Sequence, residues 1–328
     1  MKINIIGAGT WGTALGCLLE KKSPNNQITI WQRNSSKTKQ ILNSRNHLKF
    51  KDFKIPESIN FTSDFNELDF NDLTIIAIPS SAIMDTLPNN LQNGNYIIAS
   101  KGFDLNTGLL LSELLQSQFN LKSDNIAVLS GPNHAEEVIM GKTSAAVVAS
   151  SNSNLSNRLQ ELFSSDVFRV YRSDDILGVQ IGAAAKNVIA IASGLCVGLD
   201  LGDNAQAALV SRGMNEIMNL SSAYNIDERT LYGLSGLGDL IATCYSKHSR
   251  NRELGILIAK GYSLSDAKDE IGMISEGINT SQILNNISKK HEIDMPICTE
   301  VYKILFEGNN PKKSLYELMT RSLKEENN

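Results

Sequence analysis

The chain has 328 residues, more than one ordinary hydrophobic core accommodates, and an apolar fraction of 41% suffices for two soluble globular domains. Its 31 Lys and Arg against 35 Asp and Glu leave a net charge of −4, which argues against nucleic acid or an anionic membrane surface as the partner. The four cysteines (Cys17, Cys196, Cys244, Cys298) and four histidines (His47, His134, His248, His291) show no metal-ligand spacing, so no metal site is expected and the thiols read as buried and free.

Met1-Lys2 runs directly into an apolar segment broken by Gly7, unlike a secretory leader. No apolar run approaches the roughly 18 residues that span a bilayer. The expectation is a cytoplasmic chain without stable membrane insertion.

Taken in order, Ile3–Ile6 predicts a buried strand, Thr13–Glu20 a helix, Ser23–Asn26 a turn and Ile28–Trp31 a second strand. Further strands are expected at Leu73–Ile78, Tyr96–Ala99, Ile126–Leu129, Ala145–Ala149 and Val167–Tyr171. Leu155, Leu159, Leu162 and Phe163 fall on one helical face between the last two. Strands alternating with helices imply an α/β domain with a mostly parallel sheet covered on both faces. Strand signals stop near residue 175. A long small-residue helix is expected from about Leu177, followed by helices around 209–220, 252–260, 280–290, 298–306 and 313–323. The predicted division is a Rossmann-type dinucleotide-binding domain over 1–176 and an all-α substrate and catalytic domain over 177–328. Lys324–Asn328 reads as a polar tail.

Gly7-Ala8-Gly9-Thr10-Trp11-Gly12 is G-x-G-x-x-G between a strand and a helix. In that setting Gly7 permits the tight turn, Gly9 lets backbone approach a pyrophosphate, and Gly12 allows helix–sheet packing. The free N–H groups of the helix N-terminus then face the phosphates. The second strand ends in Trp31-Gln32-Arg33-Asn34, without the carboxylate that usually binds a ribose 2′-hydroxyl. Arg33 is suited to a 2′-phosphate, which favours NADP(H) while leaving NAD(H) open; the alternatives are stacking on adenine or a solvated side chain.

Lys186 lies in Gly182-Ala183-Ala184-Ala185-Lys186-Asn187-Val188. Small neighbours let other groups approach it, and it is either a proton donor to a developing alkoxide or a lysine reaching out of a packed helix. Ser249-Arg250-Asn251-Arg252 offers hydroxyl, guanidinium and amide donors at a helix start. That suits a phosphate monoester, or else is a plain capped helix. Asp239, after Gly236-Leu237-Gly238, either orients Lys186, accepts a substrate hydroxyl, or holds a flexible turn. Lys101-Gly102 and Gly131-Pro132-Asn133-His134-Ala135 follow strands and sit where parallel sheets bind ligands.

Together these segments, with Glu276-Gly277, resemble the bacterial-type NAD(P)-dependent glycerol-3-phosphate dehydrogenase family, in the family's order and over nearly the whole chain. The resemblance implies reversible reduction of dihydroxyacetone phosphate to sn-glycerol 3-phosphate, feeding glycerophospholipid synthesis, in an enzyme that is often a homodimer. It assigns proton transfer to Lys186. It assigns substrate contacts to Lys101, Gly131, Asn133, Lys186, Asp239, Ser249, Arg250 and Asn251. Cofactor contacts fall to Gly7, Gly9, Thr10, Trp11, Gly12, Arg33, Lys101, Ala135, Arg250, Ile274 and Glu276. This chain departs from the family's usual Ser or Thr at Asn133, whose amide is also a donor, and from its common Phe at His134. His134 either tunes a pH profile or fills the aromatic slot. Two rivals stand beside this reading. One is a β-hydroxyacid-type dehydrogenase, which shares G-x-x-x-K but carries Asn where this chain has Ala190. The other is a non-catalytic NADP-binding sensor, which has no need of Lys186, Asp239 and Arg250.

Overall fold

The computed structural model describes residues 1–50, 53–89, 91, 94–323 and 325–326. The polar tail expected over Lys324–Asn328 lies, apart from Glu325 and Glu326, outside the described residues. Eight strands form one sheet in the order β3-β2-β1-β4-β5-β6-β7-β8. They are β1 (Lys2–Ile6), β2 (Gln27–Trp31), β3 (Asn60–Thr62), β4 (Leu73–Ile76), β5 (Asn95–Ile98), β6 (Ile126–Ser130), β7 (Ser144–Ala149) and β8 (Phe168–Ser173). All neighbours are parallel except β6 and β7. Chain order reverses between β1 and β4, and at such a switch point the carboxyl ends of the strands open a crevice for ligands.

These segments become strands because they are rich in β-branched side chains that are buried on both faces. Successive residues point to opposite faces. Ile5, Ile75 and Ile97 join one core cluster, whereas Ile6, Ile76 and Ile98 join the other. The mostly parallel sheet read from the sequence is present, with two differences. The three-residue edge strand β3 carries too short a pattern to register, and β7 runs antiparallel to β6.

After Ser173 the described elements are all helical, beginning with Ile176–Gly198. The chain forms two compact units, Met1–Ala183 with Ile226–Asp239, and Ala184–Asn225 with Leu240–Asn328. The first contains the sheet. The second is built of helices, among them Asp203–Asn219, Arg250–Ala259, Glu276–His291 and Pro296–Phe306. Within the second unit, backbones meet closely along a seam of small residues. A Cβ on Gly194 would collide with the Arg252 carbonyl, one on Gly255 with the Ile191 carbonyl, and one on Gly198 would come within 2.6 Å of Ala259 Cβ.

One expectation is corrected here. Ile176–Gly198 is long and apolar enough to cross a membrane, with mean hydropathy 1.5 over an 18-residue stretch, although no such run was expected. Gly182, Lys186, Asn187 and Ser193 interrupt the apolar sequence without ending the helix. Most of that stretch is buried inside the fold, which makes it a core helix.

Candidate active site

The glycine loop joins β1 to the helix Thr10–Lys22 at the switch point. Gly7 has φ +119°, and a Cβ there would lie 2.6 Å from the Ala77 carbonyl oxygen. Its N–H donates to Trp31 O at 3.0 Å, tying the turn to β2. A Cβ on Gly12 would strike the Gly7 carbonyl, so the helix is packed directly on the turn. Gly9 differs: nothing lies within 4 Å of where its Cβ would be, and the residue is exposed. The loop thus leaves an open cradle at the one glycine expected to approach a pyrophosphate. Gly9 is also the helix N-cap and makes no side-chain cap bond, so the helix N-terminus keeps its affinity for an anion. Thr10 is buried, and Trp11 Nε1 is a buried donor without a partner among the described residues. These features fit a dinucleotide.

Arg33 follows β2 on the surface. Its Nη2 donates to Thr86 Oγ1 at 2.6 Å, which anchors the guanidinium at one end and leaves an exposed fork. Trp31–Asn34 contains no carboxylate, and Asn34 uses its side chain to cap the helix Ser35–Ser44.

At the carboxyl end of the sheet, Lys101 Nζ lies 2.7 Å from Asp239 Oδ2 and 3.3 Å from Gly131 O. The pair is sheltered, with side-chain exposures of 19% and 3%. This arrangement gives Asp239 a partner that the sequence alone did not suggest. The turn before Asp239 is not a loose one: Leu234–Gly238 is a π-helical turn, an element frequent at functional sites. Gly131 has φ +148°, and a Cβ there would meet the Ala145 carbonyl at 2.8 Å. Asn133 is buried and its Nδ2 has no hydrogen-bond partner among the described residues. A buried amide donor without an acceptor is costly, so an acceptor supplied by a ligand at this position would be favoured. His134 and Ala135 follow at the start of the helix Ala135–Ile139.

In the helical unit, Lys186 is 4% exposed and Nζ donates to Thr243 Oγ1 at 2.6 Å. A lysine reaching solvent is therefore excluded. Burying an ammonium costs several kcal/mol, roughly, unless it is solvated by polar groups, and such groups cluster at functional sites. Asn251 accepts from Gly277 N and donates to Asn187 Oδ1, both at 3.0 Å. A Cβ on Gly277 would meet Asn187 O and Asn251 Oδ1 at 2.8 Å each. The Lys-Asn, Arg-Asn and Glu-Gly motifs are thereby drawn together through their second residues. Ser249 caps the helix Arg250–Ala259 by accepting from Arg252 N at 3.2 Å. Arg250 is exposed and donates through Nη1 to Ile274 O at 3.1 Å, beside Glu276. Ser275 Oγ, between them, is buried without a partner among the described residues.

Sequence reasoning missed Thr243 and Asn187 as partners. The available signal for Thr243 was its position four residues after Asp239 on one helix.

Residues 2–156 match the family described as NAD-dependent glycerol-3-phosphate dehydrogenase N-terminus, and residues 175–316 match its C-terminus counterpart. The chain belongs to the NAD-dependent glycerol-3-phosphate dehydrogenase family. Within that family it is 42% identical to a glycerol-3-phosphate dehydrogenase [NAD(P)+] of Thermoanaerobacter sp. (strain X514), over 99% of each chain. It is 40% identical to a Fusobacterium nucleatum protein of the same name, over 99% of this chain and 98% of that one. A glycerol-3-phosphate dehydrogenase structure from Coxiella burnetii superposes with TM-score 0.91 at 32% identity, covering 98% and 99%. A D-mandelate dehydrogenase structure shares the fold alone, with TM-score 0.64, 14% identity and coverage of 96% and 99%. Fold likeness therefore extends to other dehydrogenases, whereas full-length sequence identity singles out this family.

Proposed function

We propose that this member of the family reduces dihydroxyacetone phosphate to sn-glycerol 3-phosphate, reversibly, with a nicotinamide cofactor. The observation that carries the reading is the buried Lys186–Thr243 pair on a helix whose next residue, Asn187, is bonded into the Ser249–Arg252 segment. A proton donor and phosphate-suited donors occur in one connected set of helices, and a bare nucleotide sensor needs neither.

Residues 1–176 serve as the dinucleotide-binding domain and 177–328 as the substrate and catalytic domain. Gly7, Gly9, Thr10, Trp11 and Gly12 would hold the cofactor's pyrophosphate, with Lys101, Ala135, Arg250, Ile274 and Glu276 contributing further contacts. When bound, the reduced nicotinamide supplies hydride to the substrate's ketone carbon. Lys186 polarises the carbonyl and passes a proton from Nζ to the oxygen. Thr243 accepts from Nζ and orients it. Arg250, Ser249 and Asn251 hold the phosphate at the N-terminus of Arg250–Ala259, where backbone N–H groups favour an anion. Lys101 and Asp239 neutralise each other while presenting donors and acceptors beside Gly131 and Asn133. Arg33 favours NADP(H) over NAD(H) by pairing with the 2′-phosphate. The four buried free cysteines suit a reducing cytoplasm, and a homodimer is the expected assembly.

The test is loss of NADPH absorbance on adding dihydroxyacetone phosphate, compared with ketones derived from β-hydroxyacids. Turnover confined to the phosphorylated ketone supports the proposal. Preference for the hydroxyacid ketones would overturn it, and no oxidation of NADPH with any ketone would favour the sensor.

A further inference from the structure

His47 is one feature the reading above leaves unused. It lies in the segment after Ser35–Ser44, far in sequence from the glycine loop, yet its Nε2 is 3.3 Å from the Ala8 carbonyl oxygen. The other ring nitrogen, Nδ1, accepts from Lys49 N at 3.2 Å. That acceptor role leaves the proton on Nε2, so the ring donates to Ala8 O as neutral imidazole. The ring rests against Phe50, with centroids 4.8 Å apart, and Phe50 is itself buried in the core. The imidazole is thus held on three sides. Burial lowers its pKa, the bond to Ala8 O pulls it back up and the nearby charges of Glu136 and Lys49 act in opposite directions, with a net downward shift that suits the neutral form.

The consequence follows from the geometry of one peptide bond. A trans peptide is planar, with its carbonyl and N–H pointing opposite ways. Fixing the Ala8 carbonyl toward His47 therefore fixes the Gly9 N–H away from it. Gly9 is exposed, has open space where a Cβ would stand, and is the N-cap of the helix. A hydrogen bond to the carbonyl also polarises the amide and strengthens its N–H as a donor.

We propose that His47 is a positioning residue for the nicotinamide cofactor: it aims and polarises the Ala8–Gly9 peptide so that the Gly9 N–H is set for the pyrophosphate. This rests on the reading of the glycine loop as a dinucleotide site. The hydrogen bonds of His47 run to Ala8 and Lys49, neither of them assigned to the substrate, so its effect is expected in cofactor affinity.

The experiment is direct NADPH titration by fluorescence, without turnover, of wild type, His47→Ala and His47→Gln. Steady-state kinetics and the thermal midpoint of the unliganded protein are recorded alongside. One hydrogen bond to the loop predicts affinity weakened about threefold to tenfold in His47→Ala. The kcat at saturating cofactor and the KM for dihydroxyacetone phosphate stay at wild-type values. His47→Gln, whose amide can donate to Ala8 O, recovers most of the affinity. Unchanged affinity in a folded His47→Ala overturns the proposal, as does His47→Gln binding no better than His47→Ala. A rise in the substrate KM matching the loss of cofactor affinity also overturns it, because the role would then be general to the fold. If the wild-type chain binds no NADPH, the dinucleotide reading fails first and this inference falls with it.

Discussion

Gly7, Gly9 and Gly12 stand in one motif but answer to three different constraints. Gly7 is dictated by a left-handed φ and by the Ala77 carbonyl, and Gly12 by the Gly7 carbonyl beneath it, whereas Gly9 meets nothing at all. Empty space at the middle glycine, between a strand and a helix N-terminus, leaves room for a ligand to approach the backbone. Arg33 extends that logic to cofactor choice. Anchored on Thr86 by one nitrogen, it keeps exposed N–H groups that would suit a 2′-phosphate. Arg33→Ala should raise the KM for NADPH by roughly tenfold or more, the worth of a charged hydrogen bond, and leave that for NADH unchanged. Equal wild-type efficiency with the two cofactors would contradict the assignment. The loop and Arg33 were legible in the sequence because strand, turn, helix and strand follow one another within about forty residues. The Lys101–Asp239 pair was not, because 138 residues separate its members and no local pattern links them. The same holds for Asn187 and Asn251, 64 apart.

Two helix contacts of the second unit carry testable energetics at the level of elements. The seam between Ile176–Gly198 and Arg250–Ala259 admits no Cβ at Gly194, because it would fall on the Arg252 carbonyl. Backbone cannot yield as a side chain can. Gly194→Ala should cost about 3 kcal/mol, the upper end for overpacking, and lower the thermal midpoint by several degrees. An unchanged midpoint would mean the seam is looser than described. The helix Pro296–Phe306 lacks a cap of its own, and Glu216 on Asp203–Asn219 supplies one. Its two carboxylate oxygens accept from Ile297 N at 2.6 Å and Cys298 N at 3.0 Å. Burial raises the Glu216 pKa from 4.5 to about 7, while these N–H donors pull it back. Since the folded value lies above 4.5, folding takes up a proton between the two. The contribution is full below pH 4.5, declines as pH rises and is lost above about pH 7. It amounts to about 3 kcal/mol. In Glu216→Gln the thermal midpoint should lose that slope across the same interval, read by calorimetry. A variant that keeps the wild-type slope would place the titration elsewhere. Periodicity revealed most of these helices, yet not the capping between them. Edge strand β3 escaped for a different reason: three residues are too few to show an alternation.

Across the whole molecule, the candidate groups are spread over both units. The glycine loop, Arg33 and the Lys101–Asp239 pair belong to the unit with the sheet, and Lys186, Thr243, Ser249, Arg250 and Asn251 to the helical one. Cofactor affinity and proton transfer should therefore be separable by mutation. The fold by itself decides little, since a D-mandelate dehydrogenase structure shares it over 96% of this chain at 14% identity. The proposed chemistry turns on proton donation by Lys186. Its most direct test is turnover and NADPH affinity measured together in Lys186→Ala, with Lys186→Met retaining the packing. The kcat with dihydroxyacetone phosphate should fall roughly 10²–10⁴-fold in both variants, while NADPH affinity stays at the wild-type value. Near-normal turnover in either variant would contradict it.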